Sequence, residues 1–146
     1  MDAAIEEMPV PGLEEAFRFH MDFNPTALVG RLATGGQRAI LPLVGGRIEG
    51  DKLNARLVSG SETHLSRLDG VTTIEAVYLV EAEDGSIIRI VGTGCRAEGR
   101  SGDFDGARMT IMFEVDEGSA HSWLATRAFV AERPSDSDLL TIAQIV

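Results

Sequence analysis

The sequence predicts an all-β protein, folded as a single antiparallel β-barrel with at most one short helix. Many short segments alternate apolar and polar residues, and they recur at spacings near ten residues with turn residues between them. No segment keeps a 3.6-residue apolar period for three turns. A closed barrel is favoured over an open sheet because closure leaves no unpaired edge strand.

The first three strands follow from their apolar patterns. FRFHMDF at 17–23 turns its four apolar side chains to one face and its polar side chains to the other. QRAILPLV at 37–44 is nearly continuously apolar, and Pro42 marks an edge, a bulge or a strand end because proline cannot donate to a ladder. Residues 52–58 alternate again.

The later strands are punctuated by turns. TTIEAVYLV is rich in β-forming residues, and Asp84-Gly85 after it is the strongest hairpin signal in the chain. This segment is expected to form a strand at 73–80. Four more strands are expected at 86–91, 108–115, 126–131 and 139–146. One short turn or helix is expected at 119–127, capped by Ser119 or Ser122. Residues 92–106 are polar and glycine-rich and predict a long functional or mobile loop.

The glycines of PLVGGRIEGDKL could suggest a phosphate site, but their context does not fit one. A phosphate cradle needs a strand, a glycine turn and then a helix whose N-terminus faces the anion. Gly45, Gly46 and Gly50 lead into another strand instead. We therefore expect these glycines to permit a bulge or a tight barrel corner.

Composition excludes several classes of partner. The net charge is -10, and the thirteen basic residues are scattered, so neither nucleic acid nor an anionic membrane is an expected partner. The acidic N-terminus lacks a signal-peptide pattern, and no apolar run is long enough to span a membrane, which predicts a cytoplasmic protein. We expect an acidic, flexible segment at 1–16 and one barrel domain at 17–146.

Neither a metal nor a cofactor is expected. The lone Cys95 rules out a multi-cysteine zinc site, and the histidines show no HxH or HxxxH spacing. No GxSxG motif supports a serine nucleophile.

Four segments in order resemble a known family. They are QRAILPLVGGRIEGDKL, SGSETHLSRLDG, IEAVYLVEAEDGSIIRI, and FEV followed by SWLATRAFVA. Together they resemble domain-of-unknown-function family 3237 over about 17–146. The resemblance implies a calycin-like barrel. Through fungal chalcone-isomerase-like relatives, it also implies isomerase or lyase chemistry on a small molecule.

The resemblance carries over to particular residues. The family's pattern is matched at Arg38, Glu62, Glu75, Tyr78 and Trp123. Two positions depart from it, because Thr63 replaces a Trp and Ala125 stands where an Asn is frequent. The identity of the substrate therefore stays open.

The candidate catalytic residues are Glu75, Glu62, Arg38 and Tyr78. A carboxylate in an apolar barrel can move a proton, and we expect Glu75 within its strand or Glu62 on a rim or loop to do so. Arg38 or Tyr78 would stabilise a developing oxyanion. Structural alternatives are a solvent-exposed Glu75 and an internal ion pair of Arg38 with Glu75 or Glu114.

The candidate ligand-binding residues are Arg89, His64, His121 and Trp123. Arg89 either pairs with an acid or binds an anionic oxygen. His64 shares a face with Glu62 because two residues separate them in an extended segment. The resemblance places His121, two residues before Trp123, near the barrel mouth.

Two main hypotheses follow. The first is a cofactor-independent isomerase or lyase that acts on a small apolar or aromatic oxygenated molecule. The alternative is a non-catalytic, lipocalin-type carrier of a small molecule. A third hypothesis is an interaction domain that forms a homo-oligomer through the apolar strand at 39–44, which is compatible with either of the others.

Overall fold

The computed structural model describes residues 9–97 and 104–146. Nine strands and one short 3-10 helix make up the described chain. The strands are β1 (Leu13–Phe23), β2 (Ala27–Arg31), β3 (Gln37–Glu49), β4 (Ala55–Ser66), β5 (Val71–Ala82), β6 (Ile87–Ala97), β7 (Gly106–Val115), β8 (Phe129–Pro134) and β9 (Leu139–Ile145). The 3-10 helix spans Ser122–Thr126, between β7 and β8.

The sheet closes on itself as a barrel. Each strand from β3 to β9 pairs antiparallel with the next, and β1 pairs with both β9 and β3. Strands β1 and β3 to β9 thus form a closed eight-stranded barrel, and β2 pairs beside the first part of β3. The prediction of an all-β antiparallel barrel with one short helical turn is confirmed.

Alternation along each strand builds the core. In β5, Ile74, Ala76 and Tyr78 are buried, whereas Glu75 and Val77 are exposed. The same period of two in β1, β7 and β8 sends aromatic and aliphatic side chains into the barrel. Large apolar side chains consequently fill the interior.

The two ends of the barrel differ. At one end, which we call the closed end, lie the tight turn at Asp84-Gly85 and the 3-10 helix, whose Leu124 is fully buried. At the other end, which we call the mouth, a cavity is lined by Thr72 near the start of β5 and Arg133 near the end of β8.

The double glycine lies inside β3 and accompanies a bulge, as predicted. Asp22 pairs with Gly45, but Phe23 pairs with Leu43, so the register between β1 and β3 shifts by one residue. A Cβ at Gly46 would lie 2.6 Å from the carbonyl oxygen of His20. Gly46 therefore lets β1 approach β3 closely.

Several boundaries differ from the sequence-based ones. β4 runs through the whole segment that was expected to be a rim or loop, because its polar residues still alternate between faces. β6 continues to Ala97, so the first part of the predicted loop at 92–106 is strand, and residues 98–103 lie outside the described residues. The short strand β2 was not predicted.

The chain ends of the fold also differ from expectation. β1 begins at Leu13, ahead of the predicted start at Phe17, because Leu13 to Glu15 pair with β9. Residues 13–16 are therefore part of a strand, and residues 1–8 lie outside the described residues, so flexibility stays a prediction for 1–12 only. Thr126 belongs to the 3-10 helix rather than to a strand. None of the helices in the described ranges is long and apolar enough to cross a membrane.

Candidate functional site

A cluster of four polar side chains lies inside the barrel below the mouth. It consists of Glu62 and His64 from β4, Tyr78 from β5 and Arg133 from β8, and we call it the Glu62 cluster. All four residues are buried, and Glu62 has no solvent exposure. Burying four polar side chains costs free energy unless each of them forms hydrogen bonds. The distances between them therefore determine whether the cluster is stable.

Glu62 is the centre of the cluster. Arg133 donates from both terminal nitrogens, with Nη1 at 2.5 Å from Oε2 and Nη2 at 2.7 Å from Oε1. The Tyr78 hydroxyl donates to Oε2 at 2.6 Å, and His64 Nε2 lies 2.9 Å from Oε1. The two carboxylate oxygens thus accept four hydrogen bonds, two of them from one guanidinium fork.

The strand pattern explains how these residues meet. Glu62 and His64 are two residues apart in β4 and point to the same side of the sheet. Tyr78 pairs across β4–β5 with Gly60, where a Cβ would lie 3.1 Å from the ring of Tyr78. The missing side chain at Gly60 leaves room for the tyrosine ring beside β4.

The electrostatics of the cluster keep Glu62 ionised. Burial alone would raise the pKa of Glu62, but the hydrogen bonds from Arg133 and His64 and the guanidinium charge lower this pKa to about 2. Burial raises the pKa of Tyr78 well above its usual value, and the charge of Glu62 adds to that rise. Burial acts to lower the pKa of Arg133, but its bonds to Glu62 outweigh this and raise it.

The ionised carboxylate fixes the tautomer of His64. An ionised carboxylate can only accept hydrogen bonds, so Nε2 of His64 must carry the hydrogen that it shares with Glu62. In the neutral ring the other nitrogen, Nδ1, then holds a basic lone pair. A carboxylate that orients a histidine in this way is a common arrangement for proton transfer.

The cavity at the mouth is solvent-accessible and borders this cluster. It has a volume of about 420 Å³, and its walls include His64 and Arg133. The guanidinium of Arg133 also lies 5.1 Å from the ring centroid of Phe23, with Nη1 3.3 Å from Sδ of Met21. The other lining residues are Phe23, Thr26, Ala39, Leu41, Ser66, Thr72, Arg96, Ala107, Pro134, Ser135, Ser137 and Asp138.

The structure brings together three of the residues expected from sequence, namely Glu62, His64 and Tyr78. Glu62 was expected on a rim or loop, but it faces inward from the middle of β4. Its neighbours Thr63 and Leu65 lie on the outer face of β4.

Three other expected site residues lie outside the cluster. Glu75 is exposed on the outer wall because Ile74, Ala76 and Tyr78 occupy the inner face of β5. Arg89 forms an exposed ion pair with Glu114, with Nη1 3.0 Å from Oε1. In β3, Ala39 and Leu41 line the cavity, and alternation places Arg38 on the opposite face. Alternate residues of the apolar strand at 39–44 thus face the mouth, whereas Val44 is 61% exposed, and association through this strand stays a prediction.

The last two expected residues lie at the closed end rather than at the mouth. His121 Nε2 is 3.5 Å from Oδ2 of Asp84 in the β5–β6 turn. Trp123 packs against the core, and Nζ of Lys52 lies 5.4 Å from its ring centroid. The chain reaches them after β7, which starts at the mouth and runs toward the opposite end.

Arg133 was missed in the sequence. The predicted strand ended at Ala131, although continuing the alternation of Phe129 and Ala131 by one step points Arg133 into the barrel. Within the described ranges, no group of three or more His, Cys, Asp or Glu side chains is placed to hold a metal ion.

By its fold this chain is a small, closed eight-stranded barrel, with a buried ion-pair cluster beneath one open end. The family described as "Protein of unknown function (DUF3237)" matches residues 11–142 of this chain. The chain belongs to that family.

Two relatives that match by sequence are UPF0311 proteins. A UPF0311 protein from Clostridium acetobutylicum is 27% identical over 84 residues, which is 57% of this chain and 53% of that protein. A UPF0311 protein from Bradyrhizobium diazoefficiens is 30% identical over 79 residues, which is 51% of this chain and 52% of that protein. The chain thus spans about half the length of the curated relatives it matches.

Solved structures share the fold over nearly the whole chain. A Clostridium acetobutylicum protein with unknown function has a TM-score of 0.81 at 24% identity, covering 96% of this chain and 100% of that chain. A beta-barrel like protein from Acinetobacter baumannii has a TM-score of 0.78 at 26% identity, covering 95% and 97%. A structure described as an enzyme from Penicillium herquei has a TM-score of 0.74 at 22% identity, covering 96% and 98%.

Proposed function

We propose that the protein is a cofactor-independent isomerase or lyase that moves a proton on a small, mostly apolar oxygenated molecule bound at the mouth. The observation that carries this proposal is the carboxylate-oriented His64 beside the Arg133 guanidinium in the wall of one cavity. The structure from Penicillium herquei that is described as an enzyme has the same fold, which is compatible with catalysis on this scaffold.

His64 is the proposed proton carrier. Its Nδ1 lone pair would remove a proton from a carbon next to a carbonyl group and return it elsewhere on the molecule. Glu62 is a poor proton carrier, because a carboxylate with a pKa of about 2 is a weak base at neutral pH. Glu62 instead orients His64 and Arg133, and Tyr78 holds Glu62 in place.

Arg133 is the proposed group that stabilises the developing oxyanion. A guanidinium has five N–H donors, and two of the donors of Arg133 bind Glu62. Nη1 also contacts Sδ of Met21, so the Nε hydrogen and the second Nη2 hydrogen are the donors proposed to bind a ligand oxygen in the cavity that Arg133 lines. A buried cation held in a fixed position, as Arg133 is, stabilises an enolate far better than water does.

The size and lining of the cavity favour the enzyme hypothesis over that of a lipocalin-type carrier. Its volume of about 420 Å³ suits a molecule of one to three rings and lies within the usual range for ligand sites, roughly 300–1,000 Å³. Apolar side chains fill the barrel below the cluster, which leaves the mouth as the ligand space. Titratable groups converge on that space, as they do in catalytic sites.

The test begins with a thermal-shift screen of aromatic enones, chalcones, ketosteroids, small lactones and fatty acids. Compounds that raise the melting temperature are then incubated with the protein in D₂O, and exchange of their α-protons is followed by NMR. Exchange detects proton removal without knowledge of the product. We expect exchange with an enolisable ligand, and a loss of about a hundredfold or more in His64→Gln.

Glu75→Gln is the matched control, because it removes a carboxylate from the outer wall of the same barrel. It should exchange protons at the wild-type rate. Ligand binding with wild-type exchange in His64→Gln would overturn the assignment of His64. A thermal shift from fatty acids alone, without exchange of any ligand, would support the carrier instead.

A further inference from the structure

The inner wall of the mouth carries a row of polar side chains, which we call the rim row. Ser66 on β4 pairs in register with Thr72 on β5, and Thr72 pairs with Arg96 on β6. On the next two strands, Ala107 of β7 pairs with Arg133 of β8. All five residues line the mouth cavity. The rim row therefore surrounds part of the ligand space with hydrogen-bonding groups.

Thr72 is a polar residue at a position that suits an apolar one. It is only 8% exposed, and it faces the interior of the barrel together with the buried Ile74 and Ala76. Its Oγ1 lies 3.4 Å from Oγ of Ser66, whereas bonds between two hydroxyl groups usually measure about 2.7–2.8 Å. So long a hydrogen bond adds little to the stability of the fold, and a role in ligand binding explains the hydroxyl better.

The two hydroxyl groups can bind a ligand oxygen while they remain in contact. Each hydroxyl has one hydrogen to donate and two lone pairs that accept. When one of the pair Ser66 and Thr72 donates to the other, the accepting hydroxyl keeps its own hydrogen. Because both residues line the cavity, the pair can offer that hydrogen and a lone pair to a carbonyl or hydroxyl oxygen.

The hydroxyl pair lies across the mouth from Arg133. Strands β4 and β8 are four strands apart in both directions around the closed barrel, so their side chains face each other. His64 precedes Ser66 by two residues of β4, which places it about 7 Å deeper along the strand. A ligand in the cavity thus has Arg133 on one side, the hydroxyl pair on the other and His64 below.

We propose that Thr72, together with Ser66, binds a second oxygen of the substrate and is a specificity-determining residue. The substrate class is then a small, mostly apolar molecule with two oxygenated groups, one of them a carbonyl at Arg133. This inference rests on the proposed function, which places that carbonyl. A site built to bind a substrate oxygen rejects an analogue that lacks it, because the polar groups of the site would be left unpaired.

The test compares α-tetralone, an enolisable ketone of two rings, with its ring-hydroxylated isomers. Dissociation constants are measured by NMR titration. We expect at least one hydroxylated isomer to bind the wild type about tenfold more tightly than tetralone, the effect of one added hydrogen bond. Thr72→Val should abolish this preference and leave tetralone binding within about twofold. Thr72→Ser, which keeps the hydroxyl, should retain the preference.

Thr73→Val is the matched control, because it makes the same substitution at the next residue of β5, on the outer face. It should keep the wild-type preference. Circular dichroism melts establish that each variant is folded. A preference that survives in Thr72→Val would overturn the proposal, and so would a wild type that binds no hydroxylated isomer more tightly than tetralone, including one that binds neither.

Proton exchange in D₂O, followed in the same samples, separates this inference from the proposed function. Exchange of the α-protons without any preference for a hydroxylated isomer would overturn the role of Thr72 and leave the proton transfer supported. A preference that depends on Thr72, without exchange of any tetralone, would support the binding role of Thr72 and count against the proposed chemistry.

Discussion

Glu62 shows how one buried carboxylate can depend on its neighbours. Its two oxygens accept bonds from Arg133, Tyr78 and His64, so each partner is satisfied only while Glu62 is charged. Arg133, itself buried, would be an uncompensated cation without it. The cluster is therefore sensitive to the loss of a single charge.

Glu62→Gln should lower the free energy of unfolding by about 3–5 kcal/mol, because it leaves the Arg133 charge buried and unpaired. Urea unfolding followed by circular dichroism measures this. The double variant Glu62→Gln/Arg133→Met should recover part of the loss, since it removes the stranded cation. Equal stability of wild type and Glu62→Gln would show that the ion pair does not hold the mouth together.

The pH dependence of stability follows from the same residue. The pKa of Glu62 falls from an ordinary 4.5 to about 2 on folding, so the unfolded chain binds the proton more tightly. The stability that Glu62 contributes, roughly 3 kcal/mol, is thus fully present above about pH 4.5 and is lost as the pH falls toward 2.

Unfolding free energies at pH 6, 4 and 3 measure this dependence. Other acids with lowered pKa values, such as Glu49 and Asp69, contribute to the raw slope. The difference between wild type and Glu62→Gln isolates the share of Glu62, and it should shrink as the pH falls. A difference that stays constant from pH 6 to 3 would contradict the lowered pKa.

At the scale of elements, glycines set how closely neighbouring strands approach. A Cβ at Gly94 would lie 2.0 Å from the carbonyl oxygen of Arg108 and 2.7 Å from Cα of Met109, so β6 and β7 would have to separate. Gly94→Ala should destabilise the fold by about 1–3 kcal/mol, as overpacking does. Thermal and urea unfolding measure the effect.

Gly12→Ala is the matched control, because its new methyl group would meet only Val146 atoms at 3.7 Å or more. Its stability should stay within about half a kcal/mol of the wild type. If Gly94→Ala matched Gly12→Ala, the close approach of β6 and β7 would not require glycine.

The elements also show what the sequence could and could not predict. The alternation of apolar and polar residues predicted the positions of β1, β5 and β7 well, since each of these strands has one apolar and one polar face. It found the start of β4 within 52–58 but failed in the later part of that strand, where the inward residues Glu62 and His64 are polar and the pattern resembled a loop. It also stopped short in β8, because an inward Arg133 breaks the apolar rule that identifies a strand face.

The site illustrates the same limit. Glu62 and His64 were recognisable as a pair from their spacing, and Tyr78 from the family pattern. The choice between Glu75 and Glu62 depended on which face of each strand points inward, and one bulge or boundary reverses that choice. The partnership with Arg133 joins residues 71 positions apart, which local pattern does not encode.

At the scale of the whole molecule, the mouth and the closed end have separate roles. The Glu62 cluster lies at the mouth, whereas Leu124 seals the closed end with full burial. Leu124→Ala should cost about 2–5 kcal/mol of stability, because it leaves a cavity in the core. Ligand affinity at the mouth should remain within about twofold of wild type at temperatures where the variant is folded.

Isothermal titration with a compound identified in the ligand screen, together with urea unfolding, measures both quantities on one sample. Phe23→Ala is the counterpart at the mouth, where the ring lines the cavity and stacks on Arg133. It should weaken ligand binding more than Leu124→Ala does. A large loss of affinity in Leu124→Ala would show that the two ends are coupled.

The bridge between Glu62 on β4 and Arg133 on β8 has a consequence for the order of folding. Strands β5, β6 and β7 separate the two residues along the sheet, so the bridge forms across the barrel once the walls have curved toward each other. Contacts that form after the transition state affect mainly the unfolding rate. Removal of the bridge should therefore shorten the lifetime of the folded barrel while folding proceeds at nearly its usual speed.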